Sequence, residues 1–247
     1  PNFSVNKEYP KVKEQWMVQT GAGIYCSPAV EKDKVFVGDD MGRLTAYALK
    51  NGKKLWSFES GKRIVGTPAV SEGIVVFGSA DRHIYGLNAK DGNLLWTVKA
   101  AEPVLGAVTI ADGTAYIGAS DATFRAIDIH TGNTVWRTFQ SMVRETIGLS
   151  EDGERIYSKT MNDSIVCYAA QGDTPRELWA TNIGFGYEHA PSMQVEKEGV
   201  MFGSTKEGLI FALEGKTGKV LWKHKIGNSL ISTVAVSYTH LTLPTIR

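Results

Sequence analysis

Short apolar runs alternate with short polar turns over most of the chain. In the first complete unit, the apolar runs predict strands at about residues 25–30, 34–38, 43–49 and 54–59. The turns between them are rich in Asn, Asp and Gly, which accept the positive φ angles of tight turns. The runs are too short for long helices. The pattern therefore predicts an all-β chain built from four-stranded units.

The four-strand pattern recurs at a nearly constant distance, which the tryptophans mark. The chain contains six of them: Trp16, Trp56, Trp96, Trp136, Trp179 and Trp222. Their separations are 40, 40, 40, 43 and 43 residues. A four-stranded unit repeated at this period predicts a β-propeller of four-stranded antiparallel blades. One wide ring per blade would fill the gap between neighbouring sheets, so we interpret the tryptophans as structural core.

Other residue types recur at fixed offsets from each Trp. A small-Pro-Ala-Val run opens the first two units, a glycine ends the second strand, and another glycine stands four residues before the Trp. Small residues in the third strand leave room for close packing of the sheets: Ala46, Gly86, Ala126, Cys167 and Ala212. The fourth unit departs from this pattern, with Ser158 in place of the first glycine and a longer turn at 171–175.

Together these recurring residues resemble the pyrroloquinoline-quinone-like (PQQ-like) repeat, from residue 16 to about residue 236. The resemblance implies a propeller of the WD40/YVTN-like kind. The family includes quinoprotein dehydrogenases, a periplasmic scaffold for outer-membrane protein assembly, and propeller domains attached to other enzymes. It implies a periplasmic or extracytoplasmic location, although the chain itself shows no signal peptide.

Counting units predicts one propeller domain over residues 1–236. The expected blades span 23–62, 63–102, 103–141, 142–184 and 185–225, with a partial blade at 226–236. Members of the family close with seven or eight blades, so we expect a fragment that forms an open arc and self-associates through its open blade faces. Residues 237–247 abandon the repeat and resemble translated vector sequence.

Composition excludes some classes of partner. The formal net charge of 247 residues is only +1, which argues against nucleic-acid binding. The chain has no apolar run of the length that spans a membrane. The two cysteines, Cys26 and Cys167, fall in distant blades, so we expect free thiols and no disulfide.

Candidate binding residues lie where the repeat is broken near the start of the innermost strands. Blades four and five place two charged pairs there: Arg144, Glu145, Glu188 and His189. Tyr187 and Tyr25 would form an aromatic wall, and Arg63 would lie on the same face. A mutually satisfied buried network is the alternative interpretation. Further polar residues of this face read as solvated turn residues: Asp39, Asp40, Arg43, Asp81, Arg82, His83, Asp121, Asn162, Asp163, Lys206 and Glu207.

Catalytic and metal-binding motifs are not found in the sequence, and the five histidines lack ligand spacing. We therefore expect a non-catalytic scaffold that binds a protein or saccharide on its loop face, with no cofactor. One alternative is an accessory or sensor propeller of a larger multidomain enzyme. Another is a fragment of a quinoprotein dehydrogenase, for which the resemblance would imply PQQ and calcium. The chain lacks the vicinal cysteines of that group.

Overall fold

The structure, a computed structural model, describes residues 14–139, 147–159, 164–184, 195–205 and 208–227. These residues form twenty strands and no helix. The strands make five four-stranded antiparallel sheets, each with its strands in chain order. The predictions of an all-β fold and of four-stranded blades are confirmed. The described residues contain no helix that could cross a membrane.

Each blade contains a short inner strand followed by three longer ones. Blades one to three contain β1 (Ala29–Glu31), β2 (Lys34–Gly38), β3 (Arg43–Ala48), β4 (Lys54–Glu59), β5 (Ala69–Ser71), β6 (Ile74–Gly78), β7 (His83–Asn88), β8 (Leu94–Lys99), β9 (Thr109–Ala111), β10 (Thr114–Gly118), β11 (Thr123–Asp128) and β12 (Thr134–Phe139). Blades four and five contain β13 (Gly148–Leu149), β14 (Arg155–Lys159), β15 (Ser164–Ala169), β16 (Glu177–Asn182), β17 (Val195–Lys197), β18 (Val200–Ser204), β19 (Leu209–Glu214) and β20 (Val220–Lys225).

The inner strands are shorter than the sequence predicted, and the first begins at Ala29 rather than near residue 25. Backbone amides of the residues just before the inner strands bond to a neighbouring blade. The Ser27 amide donates to the Thr67 hydroxyl at 3.1 Å, and the Val108 amide donates to the Thr67 carbonyl at 3.0 Å. The inner strands β1, β5, β9, β13 and β17 lie side by side in that order.

Four tryptophan side chains each bond to a turn of the following blade. Indole N–H groups donate across the blade interfaces at 2.6 to 3.2 Å, in the pairs Trp16–Leu49, Trp56–Ala89, Trp96–Ile129 and Trp179–Gly215. Each acceptor is a carbonyl oxygen of the turn between the third and fourth strands. The interpretation of the tryptophans as structural agrees with this packing, since Trp96, Trp136 and Trp179 are buried.

Where a glycine stands four residues before a Trp, the same contact requires it. Gly132 has a φ of +74°, and a Cβ there would lie 2.6 Å from the ring of Trp96. Gly218 stands in the same relation to Trp179. The small residue of the third strand faces the Trp of its own blade, as Ala46 pairs with Trp56 and Cys167 pairs with Trp179. The recurring glycines and small residues therefore allow close packing within and between blades.

Blade four departs from this arrangement where its sequence departs from the repeat. Its turn at 171–175 does not place a glycine at the usual position, four residues before Trp179. The carbonyl of Ala170, which occupies the acceptor position of that turn, receives the hydroxyl of Tyr116 from blade three. Burial raises the pKa of Tyr116 to about 12, so the phenol remains protonated and donates.

The interface between blades four and five contains a buried polar network. The Arg155 guanidinium bonds to Glu196 at 3.0 Å and to the Tyr157 hydroxyl at 3.2 Å, and it pairs with Asp152 at 3.0 Å. The Tyr157 hydroxyl also donates to Glu196. The side chains of Arg155 and Glu196 are only 7% and 3% exposed, so each charge depends on its partners.

Both cysteines are free, as the sequence predicted, and both are buried. Cys167 packs in the apolar cluster of blades four and five, beside Trp179 and Tyr157. Burial raises the pKa of the Cys167 thiol to about 12, and burial also raises the pKa of the Cys26 thiol. Both therefore act as small apolar residues rather than as reactive thiols.

Candidate functional site

One end of the blades carries two kinds of loop, and we call it the loop face. It contains the loops between second and third strands, at 39–42, 79–82 and 119–122, and the connections that enter the first three blades, at 20–28, 60–68 and 100–108. The two kinds of loop hydrogen-bond to each other. The Ala80 amide donates to the Arg63 carbonyl at 3.0 Å, and the Ile64 amide donates to the Asp39 carbonyl at 2.9 Å. The loop face is thus a continuous, bonded surface.

Aspartates on the loop face have structural partners. Asp39 accepts the Arg43 guanidinium at 2.7 Å and the backbone amides of Met41 and Arg43. Asp81 accepts the Gly61 amide at 2.7 Å and the Tyr85 hydroxyl at 2.6 Å. These carboxylates fix the loops rather than facing solvent.

Asp121 makes the corresponding contacts in blade three. It pairs with Arg125 at 2.7 Å, and the Ala101 amide of the preceding connection donates to it at 3.1 Å. Burial alone would raise the pKa of the Asp121 carboxyl, but the hydrogen bonds from Arg125 and Thr123 hold that pKa well below its usual range. The sequence interpretation of these aspartates as turn residues is supported, but their expected solvation is wrong for Asp39, Asp81 and Asp121.

The structure describes two of the seven predicted binding residues. Tyr25 and Arg63 both lie exposed on the loop face, and Tyr25 is 73% exposed. The other five lie outside the described residues, and for them the site stays a prediction: Arg144, Glu145, Tyr187, Glu188 and His189. Asn162, Asp163, Lys206 and Glu207 are also outside the described residues.

Blades one and two form a groove on the loop face with a volume of about 510 Å³. Six residues line it: Asp40, Met41, Lys62, Arg63, Ala80 and Pro103. Gly23, the backbone neighbour of Asp40, places Tyr25 against the same loop: its amide donates to the Asp40 carboxylate at 2.9 Å. Exposed apolar side chains, Ile24, Tyr25 and Met41, therefore stand beside charged ones.

Met41 and Lys62 were missed by the sequence analysis. Met41 lies in a turn whose equivalents in blades two and three are Asp81 and Asp121, so an apolar residue there departs from the pattern. Lys62 belongs to a connection whose other copies carry neutral or acidic residues at its position. Both departures were visible in the sequence.

The charged groups of the described residues do not suggest a metal site. Within the described ranges, no three His, Cys, Asp or Glu side chains are grouped so as to hold a metal ion. Cys26, Gly66 and Gly106, at the axial ends of blades one to three, supply no carboxylate. We derive no chemical step through a quinone or a calcium ion.

The repeated blades, the inter-blade tryptophans and the bonded loop face define a β-propeller with PQQ-like repeats. The sequence matches a family described as outer membrane protein assembly factor BamB, at residues 10–103, 89–172 and 162–245. Because these matches cover nearly the whole chain, the protein belongs to this family. No curated protein matches the chain.

Solved structures with the same fold include three of different origin. BamB from Moraxella catarrhalis superimposes with a TM-score of 0.73 at 16% identity, covering 90% of this chain and 70% of that one. The quinohemoprotein alcohol dehydrogenase ADHIIG from Pseudomonas putida HK5 gives 0.72 at 17% identity, covering 86% and 43%. The computationally designed Ika8 protein gives 0.74 at 16% identity, covering 92% and 69%. At these identities the likeness concerns the fold.

Proposed function

We propose that this protein is a non-catalytic scaffold that binds another protein through its loop face. The observation that carries the proposal is the exposed apolar side chain of Met41 in the groove, together with exposed Ile24 and Tyr25 in the connection that bonds to Asp40. Met41 is 69% exposed although the chain has an ordinary buried core. Exposed apolar side chains rimmed by polar ones are typical of protein interaction sites. The proposal assigns no catalytic residue and no cofactor.

The rigidity of the loop face supports this role. Its loops are fixed by backbone bonds and by carboxylates such as Asp81 and Asp121, so little conformational entropy is lost when a partner docks. Membership of a family described as an outer membrane protein assembly factor agrees with a scaffold. On that basis we also propose that the protein works in the bacterial periplasm.

In-cell photo-crosslinking tests the proposed face. A photoreactive phenylalanine analogue would replace Met41 in the groove, and in a second variant it would replace Leu95 on the outer strand of blade two. Leu95 is also exposed, but it lies on the rim rather than on the loop face. We expect a discrete protein adduct, identifiable by mass spectrometry, from position 41 and none from position 95. Absence of an adduct at 41, or the same adduct from both positions, would contradict the proposal.

A further inference from the structure

The groove carries two cations that the repeat does not require. Lys62 and Arg63 lie in the connection between blades one and two. The equivalent positions are Ala22-Gly23 before blade one and Glu102-Pro103 before blade three. All three connections lead into the same kind of inner strand, so packing does not demand positive charge here.

The backbone beneath these cations is held on both sides. The Lys62 carbonyl accepts the hydroxyls of Ser60 and Ser79, each at 2.9 Å. The Arg63 carbonyl accepts the Ala80 amide of blade two at 3.0 Å. Both side chains are exposed and project from a fixed base. Such preorganisation favours binding because the connection does not have to be ordered by the partner.

Lys62 and Arg63 also differ from Arg43 and Arg125 of the loop face in their pairing. Arg43 and Arg125 are neutralised by Asp39 and Asp121. Neither Lys62 nor Arg63 forms an ion pair with any residue within the described ranges. Asp40 also lines the groove, and the Gly23 amide that it accepts is neutral and does not cancel its charge. The groove lining therefore carries two cations against one carboxylate, an excess of positive charge, although the whole chain is nearly neutral.

We infer that the partner of this groove is an acidic protein segment that also carries apolar side chains. Its carboxylates would pair with Lys62 and Arg63, and its apolar residues would pack on Ile24, Tyr25 and Met41. The inference rests on the proposed function and adds to it the charge of the bound partner. Charge complementarity of this kind sets partner choice and association rate.

Peptide binding tests the charge preference. The probes are a fluorescent peptide of alternating Asp and Leu, the same peptide with Asn in place of Asp, and vesicles of phosphatidylglycerol and phosphatidylcholine. Fluorescence anisotropy should show at least ~10-fold tighter binding of the Asp peptide, with weakening at high salt. The double variant Lys62→Glu/Arg63→Glu should lose at least ~10-fold in affinity for that peptide.

Lys90→Glu is the matched control, because Lys90 is also exposed but lies in a turn at the opposite end of blade two. It should bind the Asp peptide like the wild type. Equal binding of the two peptides, or equal losses in the two charge variants, would overturn the inference. Binding of the anionic vesicles without binding of the peptide would also overturn it.

Crosslinking separates this inference from the proposed function. If the adduct at position 41 persists undiminished in the Lys62→Glu/Arg63→Glu background, the scaffold function stands and the acidic-partner inference fails. If the adduct is absent in the wild-type background, the scaffold function itself fails.

Discussion

The interface between blades two and three and the interface between blades four and five share one geometry but differ in chemistry. In both, an indole donates to the turn of the next blade, from Trp96 to Ile129 at 2.6 Å and from Trp179 to Gly215 at 3.0 Å. In both, side chains from the second strand of one blade contact the inner strand of the following blade. The side chains at the matching positions are nevertheless of opposite character.

Three equivalent positions carry the difference. The first interface has Ile74 and Val76 on the second strand and Ile110 on the next inner strand, all within one apolar cluster. The second interface has a guanidinium, a phenol and a carboxylate at these positions: Arg155, Tyr157 and Glu196. The comparison teaches that blade packing requires the Trp contact and complementary volume, whereas the remaining side chains can be apolar or mutually paired. It also predicts that the polar interface is the one more sensitive to a single substitution.

The largest expected effect is at Glu196. Glu196→Ala leaves Arg155 buried with Asp152 as its remaining carboxylate partner, and it leaves the Tyr157 hydroxyl with the Gly215 carbonyl, at 3.4 Å, as its acceptor. We expect a loss of about 3 kcal/mol in the free energy of unfolding, measured by urea denaturation, because the buried Arg155 charge loses its buried partner and keeps only the half-exposed Asp152. Glu154→Ala, an exposed carboxylate near the same network, should change stability by less than about 0.5 kcal/mol.

The comparison itself is tested by exchanging the chemistry. The triple variant Arg155→Ile/Tyr157→Phe/Glu196→Ile converts the polar interface to the apolar type, with Phe chosen because Phe36 holds the matching position in blade one. Its stability should return to within about 1 kcal/mol of the wild type, since apolar residues of similar volume often replace buried ion pairs at no cost. A triple variant as unstable as Glu196→Ala would show that the two interfaces are not interchangeable.

A comparable effect is expected at the turn glycine of the apolar interface. Gly132→Ala places a Cβ 2.6 Å from buried Trp96 in a residue with a φ of +74°. Left-handed backbone and overpacking together should cost about 2–3 kcal/mol in urea denaturation. Gly153→Ala separates the two contributions, because Gly153 has a φ of +75° but no atom within 4 Å of its Cβ position. It should cost only about 1 kcal/mol, and equal losses would show that the Trp contact is unimportant.

The smallest expected effect is a difference in acid sensitivity. Burial alone would raise the pKa of Asp152, but hydrogen bonds from Ser150 and the Glu154 amide, with the Arg155 pair, lower it overall. A carboxyl whose folded pKa is depressed stabilises the protein above its unfolded pKa of about 3.9, and this contribution is lost as the pH falls through the folded value. Asp152→Asn should therefore destabilise by less than about 1 kcal/mol at pH 6, because Asp152 is half-exposed, and by less at pH 3.

Ile110→Val in the apolar interface provides the control for that titration. It removes a methylene without touching a charge, so its cost in urea denaturation should be the same at pH 6 and pH 3. A pH-independent effect of Asp152→Asn would contradict the assigned role of its carboxylate.

The regular part of the fold follows from the sequence because its determinants are local and repeated. The Trp spacing, the turn glycines and the small third-strand residues each report a contact that recurs in every regular blade. The shortened inner strands were not predictable in this way. Their first residues look like strand, but the Ser27 and Val108 amides bond to Thr67 of a neighbouring blade, a partner 40 residues from Ser27 and 41 from Val108.

The candidate site was less predictable than the fold for the same reason. Tyr25 and Arg63 could be placed on the loop face from topology alone. The structural use of Asp81 and Asp121 could not, since it depends on amides of connections 20 residues away. The buried Arg155–Glu196 pair joins two blades across 41 residues and leaves no local pattern beyond charged residues at apolar positions.

The inter-blade indoles also determine what fluorescence of this protein can measure. The ring of Trp96 belongs to blade two, but its environment is set by the glycine turn of blade three. The indoles of Trp16, Trp56 and Trp179 likewise contact a turn of the following blade. A variant that keeps one of these tryptophans therefore reports the undocking of the following blade, so the chain contains its own set of local probes for the order in which the blades separate.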